Sequence, residues 1–326
     1  MSLRALKELA LGAVVFAALA VVPLLADNKP FLDFIIRLAI FGLFALSLNL
    51  LIGYTGLVSF GHGLFFGLGS YAFGLAMQSG KFSIPVAFAL TLVVAAAVGL
   101  VVGALCVRLT EIYFAFLTLA FQMFLYSLIL SWVSITGGDQ GLLGGIPKPE
   151  FLGVDLGRIQ HLYLFSAFML VVGVLLMRQI VQSPFGHALR MLRDNPDRAS
   201  FLGLSVFHYR LAAFVVSGVF AAIGGILMSL YVSGAYPAFT YWTISGEGIF
   251  MIMLGGTSAF LGPLAGAAIF LLLNDIVTAV TEYHGLVLGT VILLFVLGLK
   301  RGLLDYITEF LAARRDGARA GRAGTR

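Results

Sequence analysis

The residues that could do chemistry in this chain are few and scattered. Its histidines, His62, His161, His187, His208 and His284, fall on different segments, without the close spacing that a zinc or haem site needs. No metal site is expected. Ser59 stands near a base in Val58-Ser59-Phe60-Gly61-His62, but no carboxylate is close in sequence and G-x-S-x-G is not matched. A polar pore or helix-packing role suits it better than nucleophilic attack. Gly80-Lys81 is followed by Phe82 and lacks the upstream glycine of a phosphate loop, so ATP finds no site of that type. Cys106 is the single cysteine and lies in an apolar run, so no disulfide framework is possible. What remains is charge inside apolar sequence: Arg37, Glu247 and Asp275, with Glu111 and Glu282 nearer the ends of their runs. Charge at membrane depth is costly and usually functional, although snorkelling or a helix contact is the plainer alternative for each. The carboxylates form no ladder of the kind that proton-driven pumps carry, which points to a pathway powered from outside the chain.

The elements that must position these residues are membrane helices. Of 326 residues, 60% are hydrophobic and 11% charged, whereas a soluble domain is nearer to half apolar and about a quarter charged. Runs long enough to cross a ~30 Å hydrocarbon core recur at about 9–26, 31–53, 56–78, 84–107, 111–134, 160–181, 209–232, 244–259, 261–282 and 285–299. The expected fold is an all-α polytopic membrane protein of about ten transmembrane helices. Arg4 and Lys7 precede an apolar stretch as in a signal peptide, but without a convincing cleavage site, so the first run reads as an uncleaved helix. With the N-terminus inside, fifteen of the 20 lysines and arginines fall on the inner side, which orients both termini to the cytoplasm. That distribution by membrane side, not as a folded patch, accounts for the net charge of +5 without nucleic acid.

Residues 1–304 thus form one membrane domain, followed by a basic cytoplasmic tail at 305–326. Two polar excursions interrupt the domain. The external one, 135–160, is glycine-rich and carries Thr136-Gly137-Gly138-Asp139-Gln140-Gly141. The internal one, 183–208, is basic, and its Ser183-Pro184 and Asp194-Asn195-Pro196 are helix-start and turn signals. Two helix-to-helix turns are broken by glycine, at Gly53 to Gly63 and at Gly255 to Pro263. Such backbone is tolerated at membrane depth only inside protein or beside a water-filled cavity, and paired interruptions mark a translocation site. Gly53, Gly56, Ser59, Gly61, His62, Glu247, Gly255 and Gly256 are therefore the candidate pathway residues.

Five ordered motifs resemble the permease subunits of branched-chain amino acid ABC transporters, of the LivM type. They are Gly56-Leu57-Val58-Ser59-Phe60-Gly61-His62-Gly63 with the sequence onward to Tyr71, Arg108 to Phe121, Thr136 to Leu142, Ser183 to Asn195 with Ala199 and Gly203, and Gly255-Gly256 with Gly262-Pro263. The resemblance runs from about 45 to 303. It departs at His187, where arginine is usual, at Arg210, where lysine is usual, and at Lys300, ahead of Arg301-Gly302-Leu303, where proline is common. Related permeases look suited to urea, short-chain amides or small carboxylates. The resemblance implies a second homologous permease subunit, two cytoplasmic ATPase subunits that bind ATP and Mg, a periplasmic solute-binding protein, and a place in the lipid of the bacterial inner membrane. It assigns ATPase coupling to Arg190, Arg193, Asp194, Asn195, Arg198 and Gly203, and binding-protein docking to Gly137, Gly138, Asp139 and Gly141. This chain itself would be no enzyme and hold no cofactor. The alternative is an autonomous secondary transporter or channel for a small polar solute such as urea or an amide, which would need no ATPase.

Overall fold

The computed structural model describes residues 10, 12–21, 29–142, 144–148, 155–298, 302, 303 and 306. The basic tail at 305–326, apart from residue 306, lies outside them, as do Arg4 and Lys7. The described residues are helical, with no strand among them: α1 (Gly12–Val21), α2 (Lys29–Thr55), α3 (Gly63–Gln78), α4 (Ile84–Cys106), α5 (Glu111–Ser131), α6 (Val133–Thr136), α7 (Ile159–Gln182), α8 (Pro184–Asp194), α9 (Pro196–Phe201), α10 (Val206–Val232), α11 (Trp242–Gly255), α12 (Gly262–Val280) and α13 (His284–Gly298). Short 3-10 turns lie at Gly138–Gln140 and Pro237–Thr240. The apolar runs fall on helices, although the run at 56–78 becomes helical only at Gly63 and the run at 111–134 extends from α5 into α6; six helices (α2, α4, α5, α7, α10 and α12) are long and apolar enough to span a bilayer on their own.

The chain divides into two compact units, residues 1–248 and 249–326. In the first, α2 and α10 are enclosed along most of their length, whereas α4, α5 and α7 leave most of their apolar surface open. Phe116 and Phe124 on α5, for example, are each 65% exposed. Apolar surface of that extent belongs against lipid. Around the central pair, Phe44 meets Phe66 edge to face, and Phe65 and Phe114 each meet Phe214 in the same way, all five rings fully buried. Small residues bring α3 and α10 together: a side chain on Gly69 would meet the Ala222 backbone, and one on Gly225 the Phe66 carbonyl. Close backbone approach of this kind is how membrane helices associate where no hydrophobic force drives them. Cys106, at the end of α4, is buried in this unit.

Two groups of polar segments gather at opposite ends of α10, whose 27 residues span about 40 Å. At its start lie α8 and α9, with Phe185 stacked on Tyr209 at 5.7 Å and Arg108 over the Phe207 ring. At its end, the backbone of the 142–146 loop donates from Leu142 to the Ala235 carbonyl (2.9 Å) and from Ile146 to that of Ser233 (3.0 Å). Gln78, closing α3, donates to the Gly145 carbonyl at the same end. Lys148 follows this loop; burial pulls its pKa down and Asp155 partly opposes the shift. The second unit holds α12, α13 and the last turns of α11. There the Gly255-Gly256 break precedes α12, and Gly255 lies so close to the Gly262 carbonyl that no side chain fits between them.

Candidate functional site

The break between α2 and α3 organises the site. α2 ends at Thr55, whose Oγ1 donates to the Leu51 carbonyl (2.7 Å). Gly56 then takes φ +75°, a left-handed conformation that costs any residue with a Cβ but is open to glycine. The chain leaves the helix axis there, and residues 57–62 run without helix to the start of α3. Gly61 presses against Thr118 of α5 at a distance that excludes a Cβ, because the obstacle is the Thr118 carbonyl itself.

Behind this turn His62 is fully buried. Its Nε2 lies 2.9 Å from Ser47 Oγ and 3.4 Å from Ser217 Oγ. Ser47 gives its one proton to the Phe44 carbonyl and Ser217 gives its own to the Ser47 carbonyl, so both hydroxyls can only accept from the ring. The network therefore assigns the proton to Nε2. It leaves Nδ1 a buried acceptor with no hydrogen-bond partner among the described residues, and the same holds for the fully buried Ser59 Oγ. Buried polar groups are ordinarily bonded, so the imidazole nitrogen and the hydroxyl on this glycine-broken turn each keep the capacity for a further hydrogen bond.

A second network pins the start of α3 to α5 and α11. The Gly63 amide donates to Ser245 Oγ (2.8 Å), Ser245 donates to Gln122 Oε1 (2.7 Å), and Gln122 Nε2 donates to the Tyr241 carbonyl (2.8 Å). Gln122 and Ser245 are fully buried. Gln122→Leu is expected to strand both the serine and the carbonyl, lowering stability by ~1–3 kcal/mol. A thermal unfolding scan of the detergent-solubilised protein checks this, and a midpoint equal to that of the parent would contradict the role assigned to Gln122.

At the α8–α9 end, Ser183 Oγ accepts from the Gly186 amide to begin α8, and Asn195 Oδ1 accepts from the Arg198 amide (2.9 Å) to begin α9, with Pro184 and Pro196 in the first turns. Capping falls to Asn195; Asp194 closes α8 with its side chain exposed. Arg193 turns back and donates to the Gly53 carbonyl, while the Arg190 guanidinium lies 5.0 Å over the Tyr54 ring. Two cations thus sit on the carbonyl end of α2, where the helix dipole favours them. Arg198 and Gly203 are exposed, and beside them Phe201 and Leu202 are 91% and 70% exposed.

The structure thus gathers Gly53, Gly56, Ser59, Gly61, His62, Arg190 and Arg193 around one helix break, with Glu247 two residues beyond the Ser245 that holds it. Gly255 and Gly256 lie in the second unit. In the loop at the far end, Asp139 is exposed, while Gly138 and Gly141 are buried and Gly141 packs on the Ala235 carbonyl. Sequence reasoning missed Ser47, Gln122, Ser217 and Ser245. Their signal was polarity within apolar runs, where each such group needs a partner on another helix. It also missed Phe201 and Leu202, apolar residues in a polar segment.

Comparison with known proteins identifies the family of the chain. A family model described as the permease component of the branched-chain amino acid transport system matches residues 31–296. The chain is 26% identical to the high-affinity branched-chain amino acid transport permease LivM of Salmonella typhimurium over 288 residues, 81% of this chain and 68% of that one. To LivM of Escherichia coli it is 25% identical over 307 residues, 87% and 72% of the two chains. A shorter stretch of 119 residues, 36% of this chain and 37% of the other, is 29% identical to the nucleoside ABC transporter permease NupC of Lactococcus lactis. No solved structure matches. Matched from the first turn of α2 into α13, this multi-pass membrane protein belongs to the family of permease components of branched-chain amino acid transport systems.

Proposed function

We propose that the chain is one of a pair of permease subunits which, with two cytoplasmic ATPase subunits and a periplasmic solute-binding protein, imports branched-chain amino acids across the bacterial inner membrane. ATP and Mg belong to the partner subunits. Both chain termini and the α8–α9 pair face the cytoplasm, and the 135–160 loop receives the loaded binding protein. The observation that carries this reading is the α8–α9 element: two capped helices outside the spanning segments, anchored to the end of α2 by Arg190 and Arg193 and ending in the open Phe201–Leu202 tip. A large apolar pair held out in water on a rigid element suits burial by a partner chain. Force applied there reaches the Gly56 turn through the Arg193 contact with Gly53. Relatives named as LivM support the amino-acid reading, and LivH of Escherichia coli, 21% identical over 81% of this chain, supports a homologous second subunit.

The test is purification from the native membrane in mild detergent with identification of the co-purifying chains, expected to include an ATPase and a second permease. In that complex, Phe201→Asp is expected to cut solute-stimulated ATP hydrolysis about tenfold, as the loss of a central apolar anchor does, while the permease still inserts. Solute flux through liposomes holding this chain alone would instead establish the autonomous transporter or channel.

A further inference from the structure

In the first unit α11 packs through Ser245 and Gly248. Ser245 is fully buried in its network with Gln122 and Gly63, and a side chain on Gly248 would meet Phe44 and Leu48 of α2. Successive residues of a helix turn by about 100°, so Gly246 and Thr243 fall on the opposite side. Thr243 and the neighbouring Trp242 are exposed, and nothing lies within 4 Å of a Cβ built on Gly246. Glu247, half-buried, stands on the edge between the packed and open arcs. It is a carboxylate on a 14-residue apolar helix, and among the described residues it has neither an ion pair nor a hydrogen bond. A carboxylate held against lipid on an apolar helix is costly. The edge that carries it must border water or a cation.

We propose that Glu247 is the ammonium-recognising group of the translocation path, the point at which a solute carrying a protonated amine is held during its passage. The proposal rests on the importer reading above and adds to it the residue that meets the protonated amine of the solute, a group that uncharged solutes such as nucleosides lack. The open arc of Thr243 and Gly246 leaves room for the carbon skeleton of the solute beside the carboxylate. Glu247 interacts through charge-assisted hydrogen bonds, which are roughly twice as strong as neutral ones. Among the described residues no side chain pairs with it, and the solute's ammonium supplies its counter-ion.

The complete complex, reconstituted in proteoliposomes with its binding protein and Mg-ATP and supplied with leucine, separates the outcomes. Glu247→Gln is expected to assemble into the intact complex, yet to deliver leucine at least about tenfold more slowly, as fits the loss of a desolvated charge pair. Glu247→Asp should stay within a few-fold of wild type. Leucine delivery by Glu247→Gln at the wild-type rate would overturn the proposal. So would a Glu247→Gln complex that falls apart while Glu247→Asp assembles, since the carboxylate would then be the partner of a cation on another subunit. A wild-type complex that hydrolyses ATP and delivers a nucleoside but no amino acid would instead overturn the amino-acid reading itself.

Discussion

Gly61→Leu is expected to keep the protein from accumulating in a folded state, and Gly61→Ala to destabilise it clearly. The obstacle to a Cβ at this position is the Thr118 carbonyl on α5, which is backbone and cannot swing aside as the end of a flexible side chain would. α5 and the turn before α3 would have to separate. That separation strains the Gln122–Ser245–Gly63 network, whose hydrogen bonds are 2.7–2.8 Å long. Overpacking of a tight contact costs ~1–3 kcal/mol, and a backbone obstacle places alanine near the upper end of that range. Size-exclusion chromatography of the solubilised protein followed by a thermal scan measures both variants. Gly246→Ala is the control, because nothing lies within 4 Å of its Cβ position, and it should behave as the wild type. A Gly61→Ala protein melting together with that control would show that α5 does not approach the turn so closely.

Arg193→Glu carries the next largest effect. The guanidinium donates to the Gly53 carbonyl at the end of α2, and a carboxylate there both removes the bond and faces the negative end of the helix dipole. A lost hydrogen bond to a charged group costs ~1.5–3 kcal/mol, and reversal of the charge at a helix terminus adds ~0.3–1 kcal/mol. The helix α8 should detach from α2 while the spanning helices stay folded. Hydrogen exchange in the 184–194 segment reads this directly, with faster exchange expected there and none in α10. Arg193→Lys, which keeps the charge but not the planar fork, should fall between the two. Unchanged exchange in the charge-reversed protein would show that α8 is held by other contacts, such as Arg190 on Tyr54.

These two residues also show what could be read from the sequence and what could not. The long apolar helices were legible because a bilayer demands runs of about 20 apolar residues and leaves few other solutions for the backbone. The breaks at Gly56 and Gly255 were legible because glycine at that density contradicts a continuous helix. The Asn195 cap could be anticipated because its signal is local, with Pro196 next to it and the recipient amide three residues on. Ser47 and Ser217 could not: each looks like a small filler in an apolar run, and their bond joins residues 170 apart. Gln122 is the same case, since its partners Ser245 and Tyr241 are 123 and 119 positions away. Arg193 was legible as a cation on a loop, but its target, a carbonyl 140 residues earlier, was not. Polar side chains that pair between distant helices leave no periodicity; only the fold reveals the partner.

The central place of α10 has a consequence for biogenesis. α2 and α3 leave the ribosome early, yet the surfaces they bury are completed by α10, with Ser217 reaching Ser47 across 170 positions. At ~5–20 residues per second, that distance corresponds to roughly 10–30 s of synthesis. For that interval the nascent bundle presents Ser47, His62 and the small-residue face of α3 to lipid or to the insertion machinery. Release of the early helices into the bilayer before α10 arrives would expose polar groups to hydrocarbon, so retention of the first half until the second half emerges is built into the order in which this chain is made.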